Sequence, residues 1–253
     1  FSTGVLGASL LTLGGTDHQK QTYLPKIVDG TLTTALALEE SNRHAPHSIE
    51  TQAKKDGNNF VISGKKNFVI DGHSSNLLIV AARTEGSTND ASGITLFLVD
   101  SDNPDVEITK TSMVDSRNAA NIKFNDVAVT SDNILGEENN GASVLEMVLD
   151  RAQIAISAEM LGNASQAFDL TLAYLKERKQ FGAVIGTFQA LQHRAAEMYS
   201  ELELTKSSVI AACNAVDQNS NDLRRMASLA KFKSGETNHL VTNEAVQMHG
   251  GVG

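Results

Sequence analysis

Apolar residues recur at gaps of three and four along 141–182: Val144, Leu145, Val148, Leu149, Ala152, Ile156, Met160, Ala164, Phe168, Leu172 and Leu175. That spacing lays one stripe on one face of a 3.6-residue helix, and no proline interrupts it. At a rise of about 1.5 Å per residue the helix would be roughly 60 Å long. It closes with Glu177-Arg178-Lys179-Gln180-Phe181-Gly182, which sets cations at the negative helix end ahead of a glycine stop. Two more helical patterns follow, at about 188–215 and 222–249, joined by the polar turn Asn219-Ser220-Asn221. Three long antiparallel helices imply a bundle.

Upstream the period changes. Short β-type runs lie at 33–38, 59–63, 67–70, 76–84, 93–99, 106–113 and 121–129. They are separated by Asp56-Gly57-Asn58, Ser63-Gly64, Asp71-Gly72 and Asp102-Asn103-Pro104, all turn formers. Seven such runs with no helix between them predict an antiparallel sandwich or barrel. Residues 86–92 are small and polar, as at a loop tip. Before the β-region, Val5, Leu6, Leu10 and Leu13 form a helical stripe that Gly14-Gly15 stops. Thr16 or Asp17 then caps a second short helix through Tyr23, closed by Leu24-Pro25; His18 and Gln19 read as solvated surface. The plan is α+β: a helical N-terminal tail (1–31), an antiparallel β-barrel or sandwich middle domain (32–137) and a C-terminal helical bundle (138–253).

Composition narrows the function. The 253 residues have ordinary apolar content, 41%, and a net charge of −9 without a long basic run, which argues against nucleic acid as the main partner. The single cysteine, Cys213, rules out a disulfide framework within the chain and suits a reducing compartment. No stretch approaches the ~18 apolar residues of a membrane span, and no signal peptide is visible. A start at Phe1 and a finish on Gly251-Val252-Gly253 read as a piece of a longer protein.

Four motifs carry a resemblance. Phe124-Asn125-Asp126-Val127-Ala128-Val129 is followed by Asn133-Ile134-Leu135-Gly136-Glu137. The run 177–182 is followed by Ile185-Gly186 and Phe188-Gln189. The third motif is Gln247-Met248-His249-Gly250-Gly251-Val252-Gly253, and the fourth is Gly15-Thr16-Asp17-His18-Gln19-Lys20 with Tyr23-Leu24-Pro25. In this order and spacing, over the whole chain, the sequence resembles the acyl-CoA dehydrogenase family of flavoproteins. The resemblance implies FAD as cofactor, an acyl-CoA substrate, a homodimer or homotetramer, and electron-transfer flavoprotein as electron acceptor. It also implies fatty acid metabolism in the cytoplasm, or in the mitochondrial matrix of a eukaryote. Cofactor contacts would fall at Leu38, His44, Phe68, Ile70, Arg178, Gln180, Phe188, Gln189, Gln247 and Gly251, and substrate contacts at His44, Asp150 and Gln153. No metal is implied.

The departures from the family pattern matter. Its flavin loop commonly reads Thr-Glu-Pro-Gly-Ala-Gly-Ser-Asp; here 38–45 is Leu38-Glu39-Glu40-Ser41-Asn42-Arg43-His44-Ala45. The glycines that let backbone N–H groups approach a phosphate are gone, and Arg43 and His44 offer side-chain cations instead, or are simply an exposed basic pair. The next strand usually carries Trp-Ile-Thr; here Phe68-Val69-Ile70 keeps a ring for stacking but has no hydroxyl. The family's Asp-x-x-Arg becomes Asp150-Arg151-Ala152-Gln153. Some relatives place the catalytic glutamate at the position of Ala152, which cannot take a proton; most place it beyond the last residue here. The expectation is therefore an FAD-dependent α,β-dehydrogenation of an acyl-CoA thioester with the base outside these residues, which alone would be inactive. Alternatives are an acyl-CoA oxidase or a flavin monooxygenase on the same fold, or a non-catalytic flavoprotein subunit.

Overall fold

A computed structural model describes residues 1–115 and 117–253. The chain forms two compact units, Phe1–Leu149 and Asp150–Gly253.

The first unit opens with a π-helical turn, Ser2–Gly7, continued by α1 (Ala8–Gly14) and then α2 (Asp17–Val28). A capping box starts α2: the Thr16 hydroxyl accepts the Gln19 N–H at 3.2 Å, and Gln19 Oε1 accepts the Thr16 N–H at 3.0 Å, satisfying two backbone donors at once. Two expectations are corrected here. Pro25 lies inside α2 rather than closing it. It forfeits one ladder bond, and the last turn is completed past it by the Asp29 N–H on the Pro25 carbonyl, 3.0 Å. Gln19 is not solvated: it is 4% exposed, and its Nε2 donates to the Asp132 and Ile134 carbonyls, both at 2.9 Å.

Eight strands follow: β1 (Thr34–Ala37), β2 (Gln52–Asp56), β3 (Asn59–Ile70), β4 (Leu77–Arg83), β5 (Ile94–Asp100), β6 (Val106–Thr111), β7 (Ala119–Thr130) and β8 (Ile134–Leu135). The sheet order is β6-β7-β3-β2-β4-β5-β8, with β1 beside β4. The α+β class holds, but the sheet is mixed. β1 runs parallel to β4, Thr34 opposite Leu77, and β2 meets β4 in parallel at Gln52 and Arg83; the other pairings are antiparallel. β2 escapes a pattern search because only Ala53 of its five residues is buried; its hairpin pairing with β3 makes it a strand.

The runs 59–63 and 67–70 are one continuous strand. Gly64 does not turn the chain. Its φ of 152° and its closeness to β2, where an added Cβ would stand 2.7 Å from Thr51 Cα, make it a position for close backbone approach. Bulges interrupt the β3–β7 register between Ile62 and Gly64 and between Lys66 and Val69. β4 is buried along its whole length. The core beneath it includes Phe60, Val80, Phe97, Ile122 and Phe124, with the Phe60 and Phe97 rings 5.2 Å apart.

The long helix α3 (Gly141–Glu177) is the expected continuous helix, ended five residues before Gly182. A hairpin follows, β9 (Lys179–Gln180) with β10 (Ala183–Val184). Its turn residues Phe181 and Gly182 have φ of 53° and 76°, the left-handed pair that a tight two-residue turn requires. In the second unit α4 (Gln189–Asp217) and α5 (Leu223–His249) bury Met198, Leu202, Val241 and Met248 against Ala164 and Leu175. A second cluster gathers Ile154, Val209, Ala212, Ala227 and Ala230. The only buried polar pair linking α4 to α5 among the described residues is the hydroxyl contact Thr205–Thr237, 2.7 Å.

At the end of β4, Arg83 is 6% exposed. Its guanidinium donates to five backbone carbonyls: Ile49 (3.5 Å), His47 (3.1 Å), Thr88 (2.8 Å), Asp90 (2.9 Å) and Ser92 (2.6 Å). One side chain thus fastens the loop after β1 and the loop after β4 to the sheet. Burial lowers its pKa from the usual arginine value, in a range where it stays charged. A lysine has fewer donors and no planar fork. Arg83→Lys should lower stability by about 2–4 kcal/mol, since an unsatisfied buried carbonyl costs about 1–3 kcal/mol. An unchanged urea midpoint would show that the loops hold without it.

Candidate functional site

The first unit carries a cleft of about 750 Å³ lined by Glu39, Ser41–Arg43, His44, Asn67, Phe68, Ile70, Thr111 and Asn121. Four elements make it: the loop after β1, the bulged end of β3, and the adjoining ends of β6 and β7. The bulge explains the floor. It puts Phe68 in a left-handed conformation, φ 54°, which is unfavourable for a bulky side chain and persists because neighbours hold it. Asn121 Oδ1 accepts the Phe68 N–H at 3.0 Å, and the Asn67 N–H donates to the Glu39 carbonyl at 2.7 Å. Phe68 and Ile70 are left 49% and 44% exposed, an apolar floor facing the polar loop.

That loop is fixed from below. Lys66 is fully buried; its Nζ donates to Glu40 Oε1 at 2.6 Å and to the Leu38 carbonyl at 3.0 Å. The Glu40 carboxylate also accepts the N–H groups of Glu50 (2.6 Å) and Thr51 (3.0 Å), and the Glu40 carbonyl accepts Asn67 Nδ2 at 2.6 Å. Burial pushes the Lys66 amine down to about 8, opposed by the charge and hydrogen bond of Glu40. Burial alone would raise Glu40, but the Lys66 charge and the bonds from Lys66, Thr51 and Glu50 hold it below the usual carboxylate value. At the mouth, His44 Nδ1 lies 2.5 Å from Glu39 Oε1, and Glu39 Oε2 accepts the Ala45 N–H at 3.1 Å. An ionised Glu39 fixes the proton on Nδ1 and leaves Nε2 for a ligand.

Of the residues singled out in the sequence, the fold brings His44, Phe68 and Ile70 into this cleft, with Arg43 beside them. Leu38 is different: its side chain is 5% exposed, so a ligand could meet only its backbone. Glu40 and Lys66 escaped the motif comparison, as did Asn67, Thr111 and Asn121. One signal for Lys66 was available: it continues the inward phase of β3 set by Phe60 and Ile62, and an inward lysine needs an acid.

The second unit gathers the other cofactor candidates at one end of its bundle. Arg178 and Gln180 are exposed on the 178–184 turn, Phe188 and Gln189 are exposed at the start of α4, and Gln247 and Gly251 are exposed at the end of α5. The two stretches, some 60 residues apart in sequence, meet where the Tyr174 ring stacks on His249 at 4.5 Å and where Leu175, Ile185 and Met248 share one cluster. The Phe181 and Phe188 rings meet edge-on at 6.3 Å. Asp150 and Gln153 are half-buried on α3, and Ala152 is buried between them. Among the described residues no group of three or more His, Cys, Asp or Glu is placed to hold a metal, and no helix is long and apolar enough to cross a membrane.

A β-domain with an apolar-floored cleft, followed by a long-helix bundle, is the two-part α+β class that the fold defines. The sequence matches the middle domain of acyl-CoA dehydrogenases over 35–127 and their C-terminal domain over 139–253. The chain belongs to the acyl-CoA dehydrogenase family. It is 35% identical to a probable acyl-CoA dehydrogenase of Bacillus subtilis, covering 98% of this chain and 66% of the relative. It is 32% identical to the caffeyl-CoA reductase-Etf complex subunit of Acetobacterium woodii, covering 100% and 67%. The butyryl-CoA dehydrogenase structure of Megasphaera elsdenii superposes with a TM-score of 0.93 at 30% identity, covering 99% of this chain and 66% of that one. The chain thus spans about two thirds of the length of these relatives.

Removing Lys66 tests the support of the cleft. Lys66→Met leaves the Glu40 carboxylate buried without its cation, a change that costs about 3–5 kcal/mol. The pH dependence has a definite sign. The Lys66 pKa is about 8 folded against 10.5 ordinarily, so between those values the unfolded chain binds more protons and this group's contribution to stability rises with pH. Glu40 titrates below its ordinary value, so its contribution is complete above about pH 4.5 and is lost as pH falls through the lowered folded pKa. Chemical unfolding from pH 8 to 10.5 should show the wild type gaining on Lys66→Met as pH rises. Parallel curves would mean that Lys66 is not charged and buried as described.

Proposed function

We propose that the protein binds FAD and catalyses α,β-dehydrogenation of an acyl-CoA thioester. The observation that carries this reading is the cleft: an exposed apolar floor at Phe68 and Ile70 under a loop bearing Arg43 and His44, in the segment that matches the family's middle domain. Such a floor suits a planar ring system, and the basic mouth suits the phosphates attached to it. The residues fit FAD, with side-chain cations doing what glycine-loop N–H groups do elsewhere. Leu38 would contribute through its backbone. Arg178, Gln180, Phe188, Gln189, Gln247 and Gly251 are proposed cofactor contacts, with Arg178 and Gln180 reaching the flavin of a neighbouring subunit. His44, Asp150 and Gln153 are proposed to face the acyl-CoA.

When bound, the flavin supplies the acceptor for the β hydrogen, which leaves the substrate as hydride. The α proton needs a base within about 3 Å, hydrogen-bond reach. Ala152 has none to offer. On a helix turning about 100° per residue, Asp150 points roughly 160° away from Ala152, and Glu159 lies nearly two turns on. The base therefore belongs to another segment of the protein. The thioester carbonyl needs hydrogen-bond donors where negative charge develops. The oxidase, monooxygenase and non-catalytic readings are not favoured, since most of the relatives matched in sequence are named as dehydrogenases.

The proposal extends to the division 1–31, 32–137 and 138–253, to fatty acid metabolism in a reducing compartment (cytoplasm or mitochondrial matrix), and to electron-transfer flavoprotein as acceptor. It includes a homodimer or homotetramer. Exposed Tyr199, Leu204, Ile210, Leu229, Phe232 and Val246 on α4 and α5 support the assembly, because such side chains gain from a partner surface.

The intact protein should show a flavin absorption spectrum that bleaches anaerobically with one member of a short, branched and long acyl-CoA panel. A flavin that none of them bleaches would overturn the dehydrogenase reading. Arg178→Ala should weaken FAD binding by about 1–3 kcal/mol, the range for a charge-assisted hydrogen bond; unchanged affinity would make Arg178 a surface charge. Sedimentation of the flavin-loaded protein should give a dimer or tetramer, and a monomer that retains flavin would refute the shared site.

A further inference from the structure

The wall of the cleft carries a residue that the motif comparison did not mark. Asn121 stands on β7 opposite the β3 bulge, and its side-chain amide has one orientation open to it. The Phe68 N–H can only donate, so the oxygen of the Asn121 amide must face it, and Oδ1 does so at 3.0 Å. The Nδ2 group is consequently turned the other way. Asn121 lines the cleft, is exposed, and its Nδ2 makes no hydrogen bond within the chain among the described residues. An amide that is free to rotate would offer a ligand either a donor or an acceptor; this one is locked as a donor by a backbone group.

The same bond sets the floor. Phe68 is held at φ 54° by a bulge whose N–H would otherwise lack a partner, so the ring and the Asn121 donor are positioned by one contact. Beside them Ile70 contributes only hydrocarbon. A planar ligand lying on Phe68 and Ile70 therefore meets a fixed N–H donor at its edge from Asn121.

Given the reading of this cleft as a flavin site, we propose that Asn121 is a further cofactor-binding residue: its Nδ2 donates to a carbonyl oxygen on the edge of the flavin ring. The class of ligand follows from the geometry, a flat heteroaromatic ring with carbonyl acceptors at its rim. A donor at that edge favours negative charge on the ring and so raises its midpoint potential, while an anion there opposes it.

Asn121→Asp is nearly isosteric. It keeps an oxygen for the Phe68 N–H and replaces the donor with a carboxylate oxygen. In the intact protein it should weaken FAD affinity, measured by quenching of flavin fluorescence, by at least about fivefold, in line with a lost hydrogen bond at a polar edge. It should also shift the midpoint potential of the bound flavin downward. A smaller loss of affinity overturns the assignment. So does a loss with no downward shift, because a general loosening of the bulge would weaken binding without that sign. If Asn121→Asp does not fold, Asn121→Ala is judged by the same two readouts. A wild-type protein that takes up no flavin overturns the flavin reading itself and this assignment with it, whereas wild-type binding with an unaffected variant overturns Asn121 alone.

Discussion

The first unit depends on a lysine placed where water cannot reach it. Lys66 continues the inward phase of β3, and a cation there is tolerable only with a paired anion and further hydrogen bonds. Glu40 supplies the anion, and its carboxylate gathers the Glu50 and Thr51 N–H groups while Lys66 also holds the Leu38 carbonyl. The loop after β1 is therefore anchored at both ends to the strand that forms the cleft floor. Its conformation comes from ionic and backbone bonding, where a glycine-rich loop would rely on tight turns. That is how Arg43 and His44 can occupy positions that glycine and serine hold in the family pattern without the loop losing its place.

Arg83 does for the outer part of the loop what Lys66 does for the inner part. It spends its donors on five carbonyls from two loops, so neither loop has to order itself alone. The loop that these two buried cations hold, residues 39–50, has little apolar content of its own; only Ile49 in it is deeply buried. The resulting site is stiff beneath and polar above. A rigid floor with a strained Phe68 costs the fold some stability, and the surrounding pairing between β3 and β7 holds the strain in place.

In the second unit the proposed cofactor contacts sit at the ends of helices, where backbone groups are unpaired and charge is readily placed. The hairpin at Phe181 and Gly182 exists because α3 must stop and α4 must start close to it. Packing of Leu175, Ile185 and Met248 draws the end of α5 to the same place. Two sequence motifs thus become neighbours through core packing, while their polar side chains stay outward. Other apolar residues of α4 and α5, among them Leu204, Ile210, Leu229 and Phe232, stay exposed outside this cluster.

Much of this was written in local sequence. The periods of two and three-point-six separated the β-region from the bundle, the turn formers marked most strand ends, an intact motif pointed to Arg178, and two altered ones pointed to His44 and Phe68. Those features are set by nearest neighbours along the chain. The tertiary structure decided the rest. It made a strand of the polar run 52–56 by pairing it with β3, and it turned Gly64 from a turn into a point of close approach to Thr51. It buried Gln19 on the Asp132 and Ile134 carbonyls, more than 110 residues away in sequence. Lys66 with Glu40, and Asn121 with Phe68, are likewise contacts between residues 26 and 53 positions apart. No local pattern encodes such pairs, because each partner's role is fixed only when the sheet register brings a donor within reach of its acceptor.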